Sequence, residues 1–291
     1  MALLWTPGSH INSTFAGHYD LAAFLVIVMP IMLALFALLK SRVAKILLIL
    51  PSMMGLWLLI VSLSRTGQIA YFLATAITFT LIRKFKALAF ILIISIFFAG
   101  MSGSLDARFT RIMDVIYQKT GISRILSDVE NNFTVYAKDV TLPASAPEAA
   151  PTPTPIPVFE DRSASIRINV EWPRAIRAFE KDPILGSGYS SINLATDNDF
   201  LRMLGETGLA GLFAFLLIFA RIGKLFAEDT PVISKFKGIK LGLVAGVIGG
   251  IIGTFSVAIF IDIFEASKFA TVFWLILGLT VYMIRNEENK A

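Results

Sequence analysis

The feature that most constrains the fold of this 291-residue chain is a series of long apolar runs. About 17–25 consecutive apolar residues in a helix cross the hydrocarbon core of a bilayer and satisfy their own main-chain polar groups. Only 16% of the residues are charged, against about 25% in a soluble protein, and 56% are hydrophobic. We therefore predict an all-α polytopic membrane protein. Its seven spans are expected at roughly 21–39, 43–63, 67–82, 87–101, 208–222, 241–261 and 268–284.

The distribution of lysine and arginine among the short loops predicts the orientation of these spans. Cytoplasmic loops carry an excess of basic residues. The loops after the first, third and fifth spans and the tail are basic, with Lys40, Arg42, Lys45, Arg83, Lys84, Lys86, Arg221, Lys224, Lys235, Lys237, Lys240, Arg285 and Lys290. The opposite short loops carry Arg65 and Lys268. We therefore expect one large extracytoplasmic loop, at residues 102–206.

Three regions follow from this topology. Residues 1–101 form an outer N-terminal segment and four transmembrane helices, and residues 207–291 form three transmembrane helices and a short cytoplasmic tail. Between them, the loop 102–206 contains a segment at 141–158 with six of the twelve prolines, which we predict to be a disordered insertion. Residues 1–19 lie outside yet contain no signal peptide, so we expect the chain to be the C-terminal part of a longer protein.

Composition and motifs exclude several classes of function. There is no cysteine, and the two histidines, His10 and His18, both lie near the start, so a thiol or histidine-rich metal site is not expected. The net charge of +5 is explained by topology rather than by nucleic-acid binding. Neither a G-x-S-x-G motif nor a Walker A lysine motif is present. Gly238, Gly242, Gly246 and Gly250 stand four apart, which predicts close packing against another helix.

Basic residues are concentrated at the outer ends of the spans. Arg65 either snorkels to lipid headgroups or provides a fixed cation for an anionic group. Residues 163–193 contain a helical pattern with Arg167, Glu171, Arg174 and Lys181 on one side and Arg177 close by. This pattern is typical of an amphipathic helix at the membrane surface, bound loosely to lipid or part of a site. Pro173 predicts a break into two short helices.

Two further features follow that helix. The stretch "DPILGSG" predicts a tight turn at Gly186 and Gly188, whose backbone amides are expected to be free for an anion. The stretch "TDNDFLRMLGE" then places Asp197, Asp199 and Glu206 before an apolar span. These carboxylates either cap the helix in water or take part in chemistry.

Four stretches in this order resemble the O-antigen ligase superfamily: "STFAGHYDLAAFLVIVMP", "SRTGQIAYFLA", "EWPRAIRAFEKDPILGSGYSSI" with the arginine before it, and "DNDFLRMLGETGLAGL". That superfamily includes O-antigen ligases, O-antigen polymerases and bacterial protein O-oligosaccharyltransferases, and the resemblance covers nearly all of residues 13–284. It implies a metal-independent inverting glycosyltransferase of GT-C type without a cofactor. The enzyme would move a glycan from an undecaprenyl-diphosphate carrier to a hydroxyl of a glycan, lipid or protein acceptor. The site would lie at the outer face of the cytoplasmic membrane. Family members usually have about a dozen spans, so N-terminal spans are expected to be absent here.

The resemblance also implies roles for individual residues. Arg65 matches the family's arginine on the span one hairpin before the outer loop, and Arg167 matches its loop arginine before a tryptophan. Pro183, Gly186 and Gly188 match its P-x-x-G-x-G turn. Asp197 stands where the family often has a histidine.

From these matches we expect Arg65 and Arg167, helped by Arg174 or Arg177, to hold the diphosphate. Asp197 would be the general base and Asp199 would orient the acceptor sugar, while Glu206 would cap the next helix or, as second choice, act as the base. The missing histidine and the missing spans leave an alternative open, a non-catalytic or transport-type membrane protein of surface-polysaccharide assembly.

Overall fold

A computed structural model describes residues 14–15, 17–101, 165–192, 196–227, 234 and 236–288 of the chain. The predicted disordered insertion at 141–158 lies outside the described residues, as does the rest of 102–164.

Seven long helices in the described ranges overlap the seven predicted spans. They are α1 His18–Leu38, α2 Arg42–Val61, α3 Arg65–Leu81, α4 Phe85–Met101, α6 Asp199–Ala227, α7 Gly238–Ala258 and α8 Ser267–Glu288. Helices α1, α2, α6, α7 and α8 are long and apolar enough to cross a membrane. Helix α3 has 17 residues and the apolar part of α4 is Phe85–Phe98, so a spanning role for these two stays a prediction. The protein is an all-α polytopic membrane protein.

Helices α1, α3 and α7 form the core of the bundle, and glycines of α7 allow the close approach. A Cβ at Gly246 would lie 2.6 Å from the Cα of Ile31 on α1, and a Cβ at Gly249 would lie 2.4 Å from the carbonyl oxygen of Ala74 on α3. The packing predicted for this stripe is confirmed for Gly242, Gly246 and Gly250, whose Cβ positions all lie within 3.4 Å of α1. It is wrong for Gly238, whose Cβ position has no neighbouring atom of the described residues within 4 Å and which instead begins α7 at a φ of +58°.

Helix α6 begins nine residues before the fifth predicted span and contains a break. Gly208 has φ 63° and ψ −165°, so two helical segments meet there at a kink. The predicted start at 208 therefore marks the second segment, and Asp199–Thr207 is a helical segment of its own. The first of these segments carries Asp199 and Glu206 and precedes the apolar segment that begins after the kink.

A further helix, α5, covers Trp172–Lys181 and continues directly from a π-helical turn at Arg167–Glu171. The amide of Trp172 donates to the carbonyl of Arg167, five residues earlier. Pro173 is the second residue of α5 and has no amide to donate, so the main-chain ladder lacks one hydrogen bond just where the π turn ends. The expected break at Pro173 is therefore a change of helix type, and the chain stays helical through it. A π turn of this kind is often found at a functional site.

Candidate functional site

The described contacts place several charged residues at one end of the bundle. On α7, Gly249 approaches Thr78 and Ala74 of α3, while Gly253 approaches Ala74 and Ala70. The numbers rise along α7 and fall along α3, so the two helices are antiparallel. The end of α7 therefore lies at the same end of the bundle as Arg65, the first residue of α3.

The centre of the candidate site is an ion pair between Arg167 and Asp197. The Nε and Nη2 atoms of Arg167 lie 2.9 Å and 2.8 Å from Oδ2 of Asp197. The side chains are 13% and 27% exposed, respectively, so water still reaches the aspartate. The π turn at the start of α5 and the loop before α6 thus bring together two residues thirty positions apart. These are the residues for which the sequence predicted phosphate binding and proton transfer.

Asp197 is held in a conformation that non-glycine residues rarely adopt, with φ at 49°. Burial raises the pKa of its carboxyl above the ordinary value, the Arg167 guanidinium opposes that rise, and the negative charge of Asp262 adds to it. The net shift of the pKa is upward. A carboxylate with a raised pKa is a stronger base than an ordinary one, which is what proton abstraction from a hydroxyl requires.

Asp262, in the loop after α7, fixes the backbone on both sides of Asp197. Its Oδ2 accepts from the amide of Thr196 at 2.7 Å, and its Oδ1 accepts from the amide of Asn198 at 2.8 Å. Asp199 forms a matching bond to the loop that carries Asp262: its Oδ2 accepts from the amide of Ile263 at 2.9 Å. Each aspartate thus binds the main chain of the other's loop, and we call this arrangement the aspartate clasp.

The clasp gives Asp199 a defined place. Its side chain is 2% exposed, and its carboxylate also faces the amide of Phe264. The acceptor-orienting role predicted for Asp199 stays a prediction. In the structure, Asp199 also joins the start of α6 to the loop after α7.

Arg202, on α6, contacts Asp262 of the clasp and is surrounded by three carboxylates. Its Nη1 is 3.1 Å from Oδ2 of Asp262, and its Nε lies 2.5 Å from Glu265 and 3.3 Å from Glu206. Glu206 is 4% exposed. Buried carboxylates close together repel one another, and a guanidinium between them compensates that repulsion. Glu206 therefore holds an ion pair one turn along α6, and both roles predicted for it, helix cap and second-choice base, stay predictions.

Glu171 and Arg174 extend the site along α5. Burial raises the pKa of Glu171, the charges of Asp197 and Asp262 raise it further, and Arg167 and Arg174 oppose the rise. Among the residues that the structure describes, the buried polar atoms without a hydrogen-bond partner include Glu171 Oε2, Trp172 Nε1, Arg174 Nη1 and Thr196 Oγ1. Arg202 Nε and Glu206 Oε1 also lack one, and these two atoms contact each other as an ion pair. Such atoms are costly at about 1–3 kcal/mol each, and they are expected where a site binds something polar.

The glycine turn packs on the break in α6. The amides of Ser187 and Gly188 donate to the carbonyls of Gly205 and Glu206, at 2.9 Å and 3.0 Å. The amide of Gly186 donates to the carbonyl of Asp182 at 2.9 Å. The prediction that these amides are free for an anion is therefore wrong, because all three donate within the chain. A substrate-binding role for Gly186 and Gly188 through other atoms stays a prediction.

The remaining predicted residues differ in position. Arg65 is an exposed residue at the same end of the bundle as the Arg167–Asp197 pair. Arg177 is also exposed, and it lies two residues after Ala175, which is fully buried against α6. Two residues along a helix amount to about 200° of rotation, so Arg177 is on the outward face of α5. The roles predicted for Arg65 and Arg177 stay predictions.

No three His, Asp or Glu side chains come together as a metal site within the described ranges. Metal independence stays a prediction.

The model of one protein family, described as O-antigen ligase, matches residues 50–216. Those residues include Arg65, Arg167, Asp197 and Arg202. No curated protein and no solved structure matches the chain.

Proposed function

The chain belongs to the O-antigen ligase family, whose model covers more than half of it, and we propose that it transfers or polymerises a glycan from an undecaprenyl-diphosphate carrier onto an acceptor hydroxyl. Family membership indicates a ligase- or polymerase-like function in surface-polysaccharide assembly by a multi-pass membrane protein. The proposal adds the carrier, the acceptor hydroxyl of a glycan, lipid or protein, and a reaction at the outer face of the cytoplasmic membrane.

The observation that supports this proposal best is the Arg167–Asp197 ion pair, fixed by the aspartate clasp. The acceptor hydroxyl attacks the anomeric carbon of the sugar on the diphosphate, so a proton leaves the hydroxyl while negative charge grows on the leaving diphosphate. Asp197 takes the proton, since it is a partly exposed carboxylate with a raised pKa. General-base help of this kind contributes about 10²–10⁴ to the rate.

Arg167 serves both halves of the reaction. Its Nε and Nη2 contact Asp197, and the planar guanidinium has five N–H donors in all, so one cation can orient the base and face a phosphate oxygen. Arg174 brings a second guanidinium to the same side, and Arg65 is a third at the same end of the bundle. Stabilising the charge on the leaving group is usually the largest catalytic contribution, and one lost donor costs about 10²–10³ in rate. In this proposal side chains carry out both steps, and no metal or cofactor takes part.

Turnover of a lipid-linked oligosaccharide by the purified protein tests the proposal. Asp197→Asn keeps the shape of the side chain but cannot take a proton, so turnover should fall at least about a hundredfold. Asp197→His should recover activity, because imidazole is an alternative base. Glu180→Gln, an exposed change on α5, controls for the loss of one negative charge.

Near-wild-type turnover by Asp197→Asn would show that Asp197 is not the base and serves only as a partner for Arg167. Arg167→Ala should abolish transfer while insertion is normal. Arg167→Lys should recover only part, because lysine keeps the charge and loses the planar fork.

A further inference from the structure

A large cavity lies at the other end of the bundle, away from the Arg167–Asp197 pair. Its volume is about 900 Å³. It is enclosed by the last turns of α1, the middle of α2, and the α3–α4 hairpin. The side chains that line it deeply are apolar, including Met29, Leu33, Leu56 and Ile94. Tyr71 lies at the deep end of the cavity, ten residues before the end of α3. This segment of α3 is about 15 Å long at 1.5 Å per residue. That is half of the ~30 Å hydrocarbon core, the depth of one leaflet.

The cavity opens towards the lipid between α2 and α4. Ile49 and Met53 on α2 line it and are 46% and 39% exposed. Phe85 and Phe90 on α4 line it and are 59% and 64% exposed. Residues that both line a cavity and face outward mark its entrance, so a chain lying in the membrane can enter from the side.

The rim of the cavity is cationic. Arg83, Lys84 and Lys86 all line it, at the turn where α3 gives way to α4. None of the lining residues that the structure describes is acidic. The cavity thus has apolar walls about one leaflet deep and three cations at its rim. These features match a molecule with an anionic headgroup and hydrocarbon chains. Basic pockets between transmembrane helices bind anionic lipid headgroups for this reason.

The left-handed backbone conformation of Arg83, at the end of α3, supports a functional role for its positive charge. The amides of Arg83 and Lys84 donate to the carbonyls of Thr80 and Phe79, which is the usual arrangement at a helix end that glycine terminates. The terminating residue here is Arg83, at a φ of 56°. An arginine in this left-handed conformation is strained relative to glycine, and a strained residue points to a function for its side chain. The turn itself requires no arginine.

We propose that this cavity binds one anionic phospholipid of the membrane, with the headgroup phosphate against Arg83, Lys84 and Lys86 and an acyl chain between α1, α2, α3 and α4. The site is separate from the proposed glycan-transfer site, and lipid binding is measured without any transfer reaction. A failed transfer experiment therefore leaves this proposal intact, and the reverse also holds.

Lipid binding to the purified, detergent-solubilised protein provides the test. The probes are dioleoyl phosphatidylglycerol, dioleoyl phosphatidylcholine as the uncharged-surface comparison, and glycerol 3-phosphate as the headgroup without chains. Native mass spectrometry counts bound lipids, and the midpoint of thermal unfolding reports stabilisation. We expect one phosphatidylglycerol retained per protein and a rise in the midpoint that neither phosphatidylcholine nor glycerol 3-phosphate produces.

Two kinds of variant locate the binding. Arg83→Gly removes the cation while relieving the backbone, so the unliganded protein should be as stable as the wild type or more so. Its affinity for phosphatidylglycerol should fall about fivefold, as each basic residue near an anionic surface contributes about that factor. Ser52→Phe, or Ala37→Leu if the first fails to fold, fills the cavity and should abolish retention of the lipid. Both residues line the cavity.

Arg42→Gln is the matched control. It removes one exposed cation at the same end of the bundle from a residue that does not line the cavity. The proposal is overturned if Arg42→Gln weakens binding as much as Arg83→Gly, which would show diffuse attraction to basic loops. It is also overturned if the filled-cavity variants still retain phosphatidylglycerol, or if phosphatidylcholine binds equally well.

Discussion

Replacing Asp262 tests whether the aspartate clasp sets the properties of Asp197. Asp262 accepts from two backbone amides and from Arg202, and Thr196 is fully buried while Asn198 is 7% exposed. A hydrogen bond to a charged group contributes about 1.5–3 kcal/mol, and a buried donor left without a partner costs about 1–3 kcal/mol. Asp262→Ala, which abandons both amides, should therefore cost about 3–6 kcal/mol. Asp262→Asn keeps one acceptor oxygen and should cost roughly half of that.

The consequence reaches the proposed base through the backbone. A residue in the left-handed region costs about 1–2 kcal/mol, and the amides bound by Asp262 flank Asp197 on both sides. Once they are released, Asp197 can relax from this conformation, and its carboxylate is then less well placed for an acceptor hydroxyl. We expect transfer activity in Asp262→Asn to fall more than tenfold. The thermal midpoint should fall by several degrees, since 1 kcal/mol corresponds to about 2–4 °C for a chain of this size class.

The pH profile of turnover separates positioning from a general loss of stability. In the proposed mechanism Asp197 acts deprotonated, so activity should be present above the pKa of Asp197 and should be lost as pH falls through that pKa. Asp262 contributes to the raised pKa of Asp197, so removing its charge lowers that pKa and should move the acid limb to lower pH. Asp199→Asn disrupts the clasp from the other side, and its charge is not among the causes of the shift. Its acid limb should therefore stay in place.

Asp262 does not set the pKa of the titrating group if Asp262→Asn and Asp199→Asn give the same acid limb as the wild type while both lose activity. That result would show that the clasp only holds the loops, and that another group titrates.

Three further predictions concern the ion pair, the glycine turn and the topology. Arg167 lowers the pKa of Asp197. Because the lysine of Arg167→Lys contacts the carboxylate more weakly, the acid limb of its residual turnover should lie at higher pH than in the wild type. An acid limb that does not move in a pH titration would exclude this coupling. Gly208→Ala should lower the thermal midpoint more than Gly188→Ala. A Cβ at Gly208 would lie 2.4 Å from the carbonyl oxygen of Ile184, whereas a Cβ at Gly188 would meet no neighbouring atom of the described residues within 4 Å. Equal losses would mean that only backbone strain matters. Tyr189→Cys, at a position 85% exposed, should react with an impermeant thiol reagent on intact cells, and Ser234→Cys should not. The reverse labelling would invert the proposed orientation.

The helical architecture could be predicted because apolar length and hydropathy are local properties of the sequence. The start of α6 is marked locally by Asn198, whose Oδ1 accepts from the amide of Leu201 at 3.0 Å. The attachment of this helix start to the loop after α7 could not be predicted, because Asp199 accepts from the amides of residues 263 and 264, which lie more than sixty positions away. Gly208 was predicted to lie at the start of a span, and it is instead the point where two helical segments meet. Its φ of 63° is fixed by the turn at Ile184 and Gly186, whose backbone approaches too closely for any side chain.

The candidate site shows the same division between local and long-range information. Arg167 and Asp197 could be singled out because each stands in a recognisable stretch, and the structure places them in contact. Their surroundings could not be derived in the same way. Asp262 and Glu265 stand in a short loop between two apolar runs, where a pattern gives no reason to connect them with residues 196–202. One signal was available in the sequence. Two acids stand in a short loop between apolar runs, and Lys268 is the nearest following cation, so negative charge is left near hydrocarbon.

The uncompensated charge of that loop also explains why Arg202 lies where it does. Asp262, Glu265 and Glu206 approach one guanidinium, and the ion pairs draw the first segment of α6 against the loop after α7. Asp262 thereby has two tasks, pairing with Arg202 and binding the amides of residues 196 and 198. A carboxylate that only neutralised Arg202 would leave Asp197 free to relax. Because the same carboxylate does both, the ion pairs of Arg202 are linked to the strained backbone of Asp197. Asp197 is therefore both partly exposed and tightly held.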